Sequence, residues 1–469
     1  MKQRSLKEAD VVIVGAGPGG LASTIAAASA GAQATLLDEN LTPGGQIYRQ
    51  GHKSVQAWGT HSLGPDLRRG QKLLAEFKTI QHKVNYIEDA LVWGIFDENT
   101  IAFVKDGTTH PIRFKKLVLS IGAYDRPVPF PGWTLPGVFA AGGAQVLVKS
   151  QRVLPGDKIL LAGTGPLLLA LAYQVIEAGG HIVAILEAGR VQGWLDLGLG
   201  LLGQPALLLD ALRYLSTIRK AGVPLLRQHL ILEAKGGDRV EEALVAEVDG
   251  NWRPKPGTER VFSVDAVCLG YGFVPSTELT RLAGCDHRYE PMLGGWVPKR
   301  DALMETSVRG VYAVGDSAGI AGSGAAVEQG RIAGLSAARS LGYLSAQDAE
   351  GRIEHSRKRL NRVLRLRRAL DRISLPGPGL YELAADETII CRCEGITLRE
   401  VRKAVAEGAT EMGEVKRMTR MGMGLCQGRM CGPALQEIIA RWAGLPPSSA
   451  GHLNPRPPVK PVPFAAVAL

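Results

Sequence analysis

The chain has 469 residues, enough for about two to four domains with well-filled cores. Glycine is abundant at 58 residues and aromatics make up only 6%, a balance that suits βαβ units joined by tight turns. The net charge of +10 favours solubility, anionic cofactors and acidic partner surfaces; no nucleic-acid motif accompanies it. Residues 11–37 and 159–176 carry no charge, but glycine loops and a proline interrupt each, which excludes spanning helices.

The start, MKQRSLKEAD, imitates the basic opening of a signal peptide. Glu8 and Asp10 then precede the apolar run, and no small-residue cleavage site suits it. The expectation is a soluble cytoplasmic chain, with peripheral attachment at the inner membrane through a partner left open.

VVIV (11–14) reads as a strand buried on both faces. Gly15, Gly17 and Gly20 follow at G-x-G-x-x-G spacing and open an alanine-rich helix that runs to about Gly31. The first glycine permits the turn, the second lets backbone approach a pyrophosphate, and the third lets helix and strand pack closely. A second strand, ATLL (34–37), ends at Asp38 with Glu39 beside it, where a carboxylate can hold a ribose 2′-OH. This order predicts a bound adenine dinucleotide. In GGQIYRQ (44–50) the backbone can run against a flavin and the Gln46 amide can hydrogen-bond it. The strand LVLSIG ends at Gly122, and a proline-rich crossover leads into an inserted unit.

KILLAGTGPLLLALAYQVIEAGGHIVAILEAG (158–189) repeats the opening pattern, with Gly163, Gly165 and a terminal Glu187. Leu168 occupies the third glycine position, a departure that crowds helix against strand. Either NAD or ATP/ADP could sit there, or the fold persists without a ligand. An apolar leucine-rich segment, LGLGLLGQPALLLDALRYL, then precedes further strands. DAVCLGYGFVPSTEL (265–279) returns the chain, and VYAVGD brings Gly315 and Asp316 to a strand end, where Asp316 can accept from a ribityl hydroxyl. The helix beginning near Gly324 can point its dipole at the flavin. RIEHSRKRLNRVLRLRRALDR (352–372) places Leu360, Val363, Leu364 and Leu370 on one face, so an amphipathic helix with a solvated basic face is expected.

Of six cysteines, Cys268 and Cys285 are isolated and expected to be structural. Cys391 and Cys393 form C-x-C; Cys426 and Cys431 form C-x4-C. Thr397 and Glu400 form a capping box, and Pro433 sits in the first turn of a last helix, so both pairs lie on loops pinned by helix ends. Four thiolates suit zinc or a 2Fe–2S cluster, and C-x-C is cramped for one tetrahedral ion. Arg392, Lys416, Arg417, Arg420 and Arg429 would offset the cluster's charge and raise its potential.

Two nucleotide folds, both crossovers and the Gly-Asp strand resemble the two-dinucleotide-domain flavoproteins such as thioredoxin reductase, over about residues 8–340. The resemblance implies FAD at Gly15, Gly17, Gly20, Asp38 and Asp316. The cysteine region resembles the bacterioferritin-associated-ferredoxin-like 2Fe–2S domain, in which the four cysteines ligate the cluster. The whole chain resembles the large (α) subunits of heteromeric amino-acid and opine dehydrogenases, of the hydrogen cyanide synthase, opine oxidase and D-hydroxyproline dehydrogenase types. That likeness implies an FAD-bearing, amino-acid-oxidase-like β subunit, sometimes a small 2Fe–2S γ subunit, and FMN at a subunit interface.

The expected fold class is α/β. It has a discontinuous FAD-binding domain (1–150 and 298–345), a nested Rossmann-like unit (151–297), a basic helical linker (346–384), a small helical 2Fe–2S domain (385–445) and a Pro-rich tail (446–469). No Ser/His/Asp set and no paired carboxylates offer a catalytic residue, so cofactors would carry the chemistry. The expected function is electron transfer. The alternatives are a self-contained NAD(P)H-dependent reductase and a nucleotide-stabilised scaffold.

Overall fold

A computed structural model describes residues 7–49, 65–97, 99–189 and 205–467. The LGLGLLGQ part of the leucine-rich segment lies outside them. The strand β1 (Lys7–Val14) is sandwiched in parallel between β2 (Ala34–Leu37) and β6 (Thr108–Leu119). Both neighbours hydrogen-bond it, helices cover the Val11 and Ile13 face and the antiparallel strands the Val12 face, so all three are fully buried. β3 (Val84–Ile87) extends the parallel edge, while β4 (Leu91–Phe96) and β5 (Thr100–Lys105) add an antiparallel corner. The length of β6 lets its first half pair with β5 and its end with the late strand Val311–Ala313. α1 (Pro18–Ser29) packs on this sheet, and the carboxyl ends of β1 and β2 converge at its N-terminus.

β7 (Ala123–Asp125) crosses out and pairs antiparallel with the return strand Phe273–Pro275. Between them lies a second parallel sheet. Its order is Leu225–Arg227, Ile182–Glu187, Ile159–Gly163, Ala266–Gly270 and Val138–Ala140. The boundaries expected at 150/151 and 297/298 therefore fall elsewhere. Val138–Ala140 already belongs to the second sheet, and α2 (Glu278–Leu282) already packs Leu279 on the first. Proline punctuation marked the crossover but not which sheet each flank joins.

α3 (Ser323–Ser340) crosses α1 closely, with Ser23 Oγ donating to the Gly330 carbonyl at 3.0 Å. The expected linker is a 29-residue helix, α4 (Ala346–Ser374), capped by Ser345. It is no spacer. Ala349, Ile353 and Leu360 are buried against α1 and α3, a stripe that begins earlier than the expected one. The last helices are α5 (Leu398–Ala406), α6 (Met412–Thr419) and α7 (Gly432–Trp442). Their Val401, Val415, Leu435 and Ile439 share one core with Leu230, Val245 and Tyr271 of the inserted unit. Fully burying each such aliphatic side chain contributes about 1.5–3 kcal/mol, so the junction is a folded core and not a loose contact.

The Pro-rich tail is likewise seated. Val459 N–H donates to the Trp93 carbonyl at 2.9 Å, Lys460 pairs with Glu39, and Ala466 is buried beside Trp93 and Val104. Among the described residues no helix is long and apolar enough to cross a membrane.

Candidate cofactor sites

The first glycine loop is built for close approach. A Cβ on Gly20 would lie 1.7 Å from the Gly15 carbonyl oxygen, so nothing larger than hydrogen fits. Gly17 is the N-cap of α1 and no side chain caps the helix, which leaves its first N–H groups for an anion. Gly44–Gly45 fold onto this loop, Gly44 N–H donating to the Ala16 carbonyl at 2.9 Å. Asp38 is buried, and its carboxylate is engaged by the Ala16 N–H and by the Asn40 N–H and side-chain amide at 2.7 and 2.9 Å. It fixes the loop from beneath. Glu39 is exposed, and Lys460 reaches it from the tail. Gln46 is exposed on the neighbouring turn.

At the other end of the cradle, Gly122 has φ +71° and borders open space. Gly315 N–H donates to Gln329 Oε1 at 2.9 Å. Asp316 Oδ1 accepts from the Ala321 and Gly322 N–H groups at 3.0 and 3.1 Å, and among the described residues nothing donates to its second oxygen. One carboxylate oxygen thus orders the turn into α3 while the other remains for a hydroxyl. Small residues, two uncapped helix N-termini and this carboxylate fit a dinucleotide running from Gly17 to Asp316.

The second loop is differently disposed. Glu187 accepts from Gly165 N–H at 3.1 Å and Gly189 N–H at 2.8 Å, so the amide expected to meet a pyrophosphate is already bonded. Burial pushes this carboxyl above the usual carboxylate range, the loop N–H groups partly offsetting it. Leu168 is fully buried, and Gly270 on the adjacent strand makes room for it. Ser374, the last residue of α4, stands at the mouth of the loop: a Cβ on Gly165 would lie 2.8 Å from its Oγ.

The four clustered cysteines come together: Cys431 acts on both Cys391 and Cys426, and Cys426 on Cys393. Cys391 and Cys431 are buried, Cys393 is exposed and Cys426 lies between. The Cys431 thiol, with N–H groups of Gly422, Glu394 and Cys393, holds Cys391 down to about 6 and is itself pushed far up. Among the described residues no three His, Cys, Asp or Glu side chains converge on one point. A two-iron cluster takes two thiolates on each iron, and four cysteines supply that number. The capping box at Thr397 and Glu400 is formed, and Cys431 is the N-cap of α7.

The expected cationic halo is thinner than its composition. Arg420 pairs with Glu394 at 3.3 Å and Arg429 with Glu278 at 2.7 Å. Arg429 also donates to the Cys426 carbonyl at 3.2 Å and the Val459 carbonyl at 2.7 Å, so it ties the cluster loop to the flavoprotein half and to the tail. Cys268 and Cys285 are buried away from the pairs; burial pushes Cys268 up to about 12. Sequence reasoning missed Ser374 and Lys460, which act across long separations and carry no local signature.

The profile of the pyridine nucleotide-disulphide oxidoreductase family matches residues 9–342, and that of the BFD-like [2Fe-2S] binding domain matches residues 389–441. The A subunit of opine oxidase from Rhizobium meliloti is 34% identical, with 98% of this chain and 87% of that protein covered. The hydrogen cyanide synthase component HcnB of Pseudomonas aeruginosa is 34% identical over 97% of both chains. L-proline dehydrogenase from P. horikoshii superposes with a TM-score of 0.71 over 100% of this chain and 81% of that one, at 20% identity, a likeness of fold.

Proposed function

The chain belongs to the pyridine nucleotide-disulphide oxidoreductase family as one component of an oxidoreductase, similar to HcnB and to the A subunit of opine oxidase, and on that premise we propose that it relays electrons for a catalytic partner. The first domain implies FAD and the second a 2Fe–2S cluster. When bound, the two supply two-electron and one-electron redox chemistry respectively. Gly15, Gly17, Gly20 and Asp316 would hold the FAD, with Asp38 setting the loop; Cys391, Cys393, Cys426 and Cys431 would hold the cluster. A separate FAD-bearing β subunit would oxidise the C–N bond of an amino acid or opine, with FMN at the interface between subunits and, in some assemblies, a small 2Fe–2S subunit.

The observation that carries this reading is the packing of the cluster loop onto the flavoprotein half through Arg429, which holds both sites in one body. The self-contained reductase is disfavoured by the second loop. Glu187 occupies the Gly165 amide, and Ser374 crowds the mouth of the same loop. Anaerobic mixing of the FAD-loaded chain with excess NADH is therefore expected to leave the flavin band unchanged over minutes. Co-expression with an amino-acid-oxidase-like subunit should instead allow an amino acid or opine to reduce it. Rapid bleaching by NADH alone would reject the relay.

A further inference from the structure

Apart from both glycine loops, a half-open cleft with a cavity of about 90 Å³ lies where three parts of the chain meet. The crossover contributes Tyr124 and Arg126, α2 contributes Arg281, and the hairpin after it contributes Trp296. The cluster loop and the start of the tail close the remaining side.

Its charges do not balance. Arg126, Arg281, Arg429, Arg456 and Lys416 line it, against a single lining carboxylate, Glu278. Glu278 is committed to Arg429 at 2.7 Å. The nearby Glu437 accepts from the Tyr289 hydroxyl at 2.8 Å and pairs with Arg441 at 3.1 Å. Arg126 is left with neutral partners: the Tyr381 hydroxyl at 3.3 Å and the carbonyls of Phe273 and Gly294 at 3.4 and 3.0 Å. Arg281 donates to the Leu453 carbonyl at 3.1 Å. The Nε atoms of both guanidiniums, and Nε1 of Trp296, are buried without a hydrogen-bond partner. Burial pulls Arg281 down to about 10 even with Glu278 nearby. The Arg281 cation and the unpartnered donors are unfavourable in this state until an anion joins them.

We infer that the cleft is an oxyanion site, which takes a phosphate monoester or a carboxylate between Arg126 and Arg281 with the Trp296 N–H as a further donor. This goes beyond the relay and does not depend on it. Gly428 and Arg429 share a loop with Cys426 and Cys431, so an anion bound here would lie beside the residues that would hold the cluster.

Calorimetric titration of the cofactor-loaded chain in phosphate-free, low-salt buffer tests the site, with inorganic phosphate in one arm and acetate in the other. One saturable site per chain is expected. Arg281→Gln should weaken it by about tenfold or more, the loss of one charge-assisted hydrogen bond. Trp296→Phe keeps an aromatic ring, removes the N–H and should weaken binding less. Tighter binding of phosphate assigns a phosphate monoester; tighter binding of acetate assigns a carboxylate. Melting curves without anion establish that each variant is folded. No saturable binding of either anion, or one affinity shared by wild type and both variants, overturns the inference.

Discussion

Replacing Cys391 with serine is expected to remove iron, acid-labile sulfide and the visible 2Fe–2S absorbance together, while FAD stays bound. The reason is position as well as ligation. Cys391 is buried at the end of the strand Ile389–Cys391, in the same core as Val401 and Leu435. Without the cluster, a buried sulfur pair and the loops around Gly422 and Gly428 lose what orders them, because metal binding and local folding are coupled. Loss of a metal site is among the few mechanisms that destabilise by more than about 4 kcal/mol. Cys393→Ser should also lose the cluster, but Cys393 is exposed and the remaining fold should suffer less. Cys268→Ser, on a strand of the inserted unit, is the control: it should keep its iron. Iron analysis, spectroscopy and thermal melts of the three variants check the set. A Cys391→Ser chain with full iron content would exclude this residue as a ligand.

The second large effect is expected at Gly20. A methyl group there would meet the Gly15 carbonyl oxygen at 1.7 Å, and neither atom can move without shifting β1 or α1. Overpacking costs about 1–3 kcal/mol where side chains can give way, and the neighbour here is backbone. Since the displaced groups are the loop amides that would face the pyrophosphate, a loss of about 3 kcal/mol would weaken FAD roughly a hundredfold. Gly20→Ala should therefore purify largely free of flavin but with its cluster in place. Leu168→Ala, at the matching position of the inserted unit, should leave FAD content unchanged and destabilise by about 2–5 kcal/mol through a core cavity. Flavin-to-protein ratios and denaturant titrations separate the two. Equal flavin content in wild type and Gly20→Ala would remove the glycine argument.

Much of this arrangement was legible because it is written locally. The capping box at Thr397 and the helix behind Cys431 depend on residues within about one turn of one another, and the βαβ units on one contiguous motif, where propensity and spacing act directly. Family resemblance supplied what spacing could not, the cluster type and the subunit role. What stayed hidden depends on contacts between distant segments. Nothing near Glu187 announces that its carboxylate turns back to Gly165, or that Ser374 reaches the same loop. The basic run at 352–372 showed its apolar face from Leu360 on in the sequence, but not that the stripe begins at Ala349 and Ile353 or which helices cover it. The NPRPPVKPVPF ending gave no sign that Lys460 would meet Glu39.

The core shared by α5–α7 and the inserted unit has a kinetic meaning. Carriers that must swing a redox head between donor and acceptor slow down as the medium thickens. If the chain relays electrons as proposed, that packing would hold the cluster domain in place, and intramolecular exchange should be indifferent to glycerol or sucrose. Any viscosity dependence in the assembled enzyme would then report arrival and departure of its donors and acceptors, not a hinge.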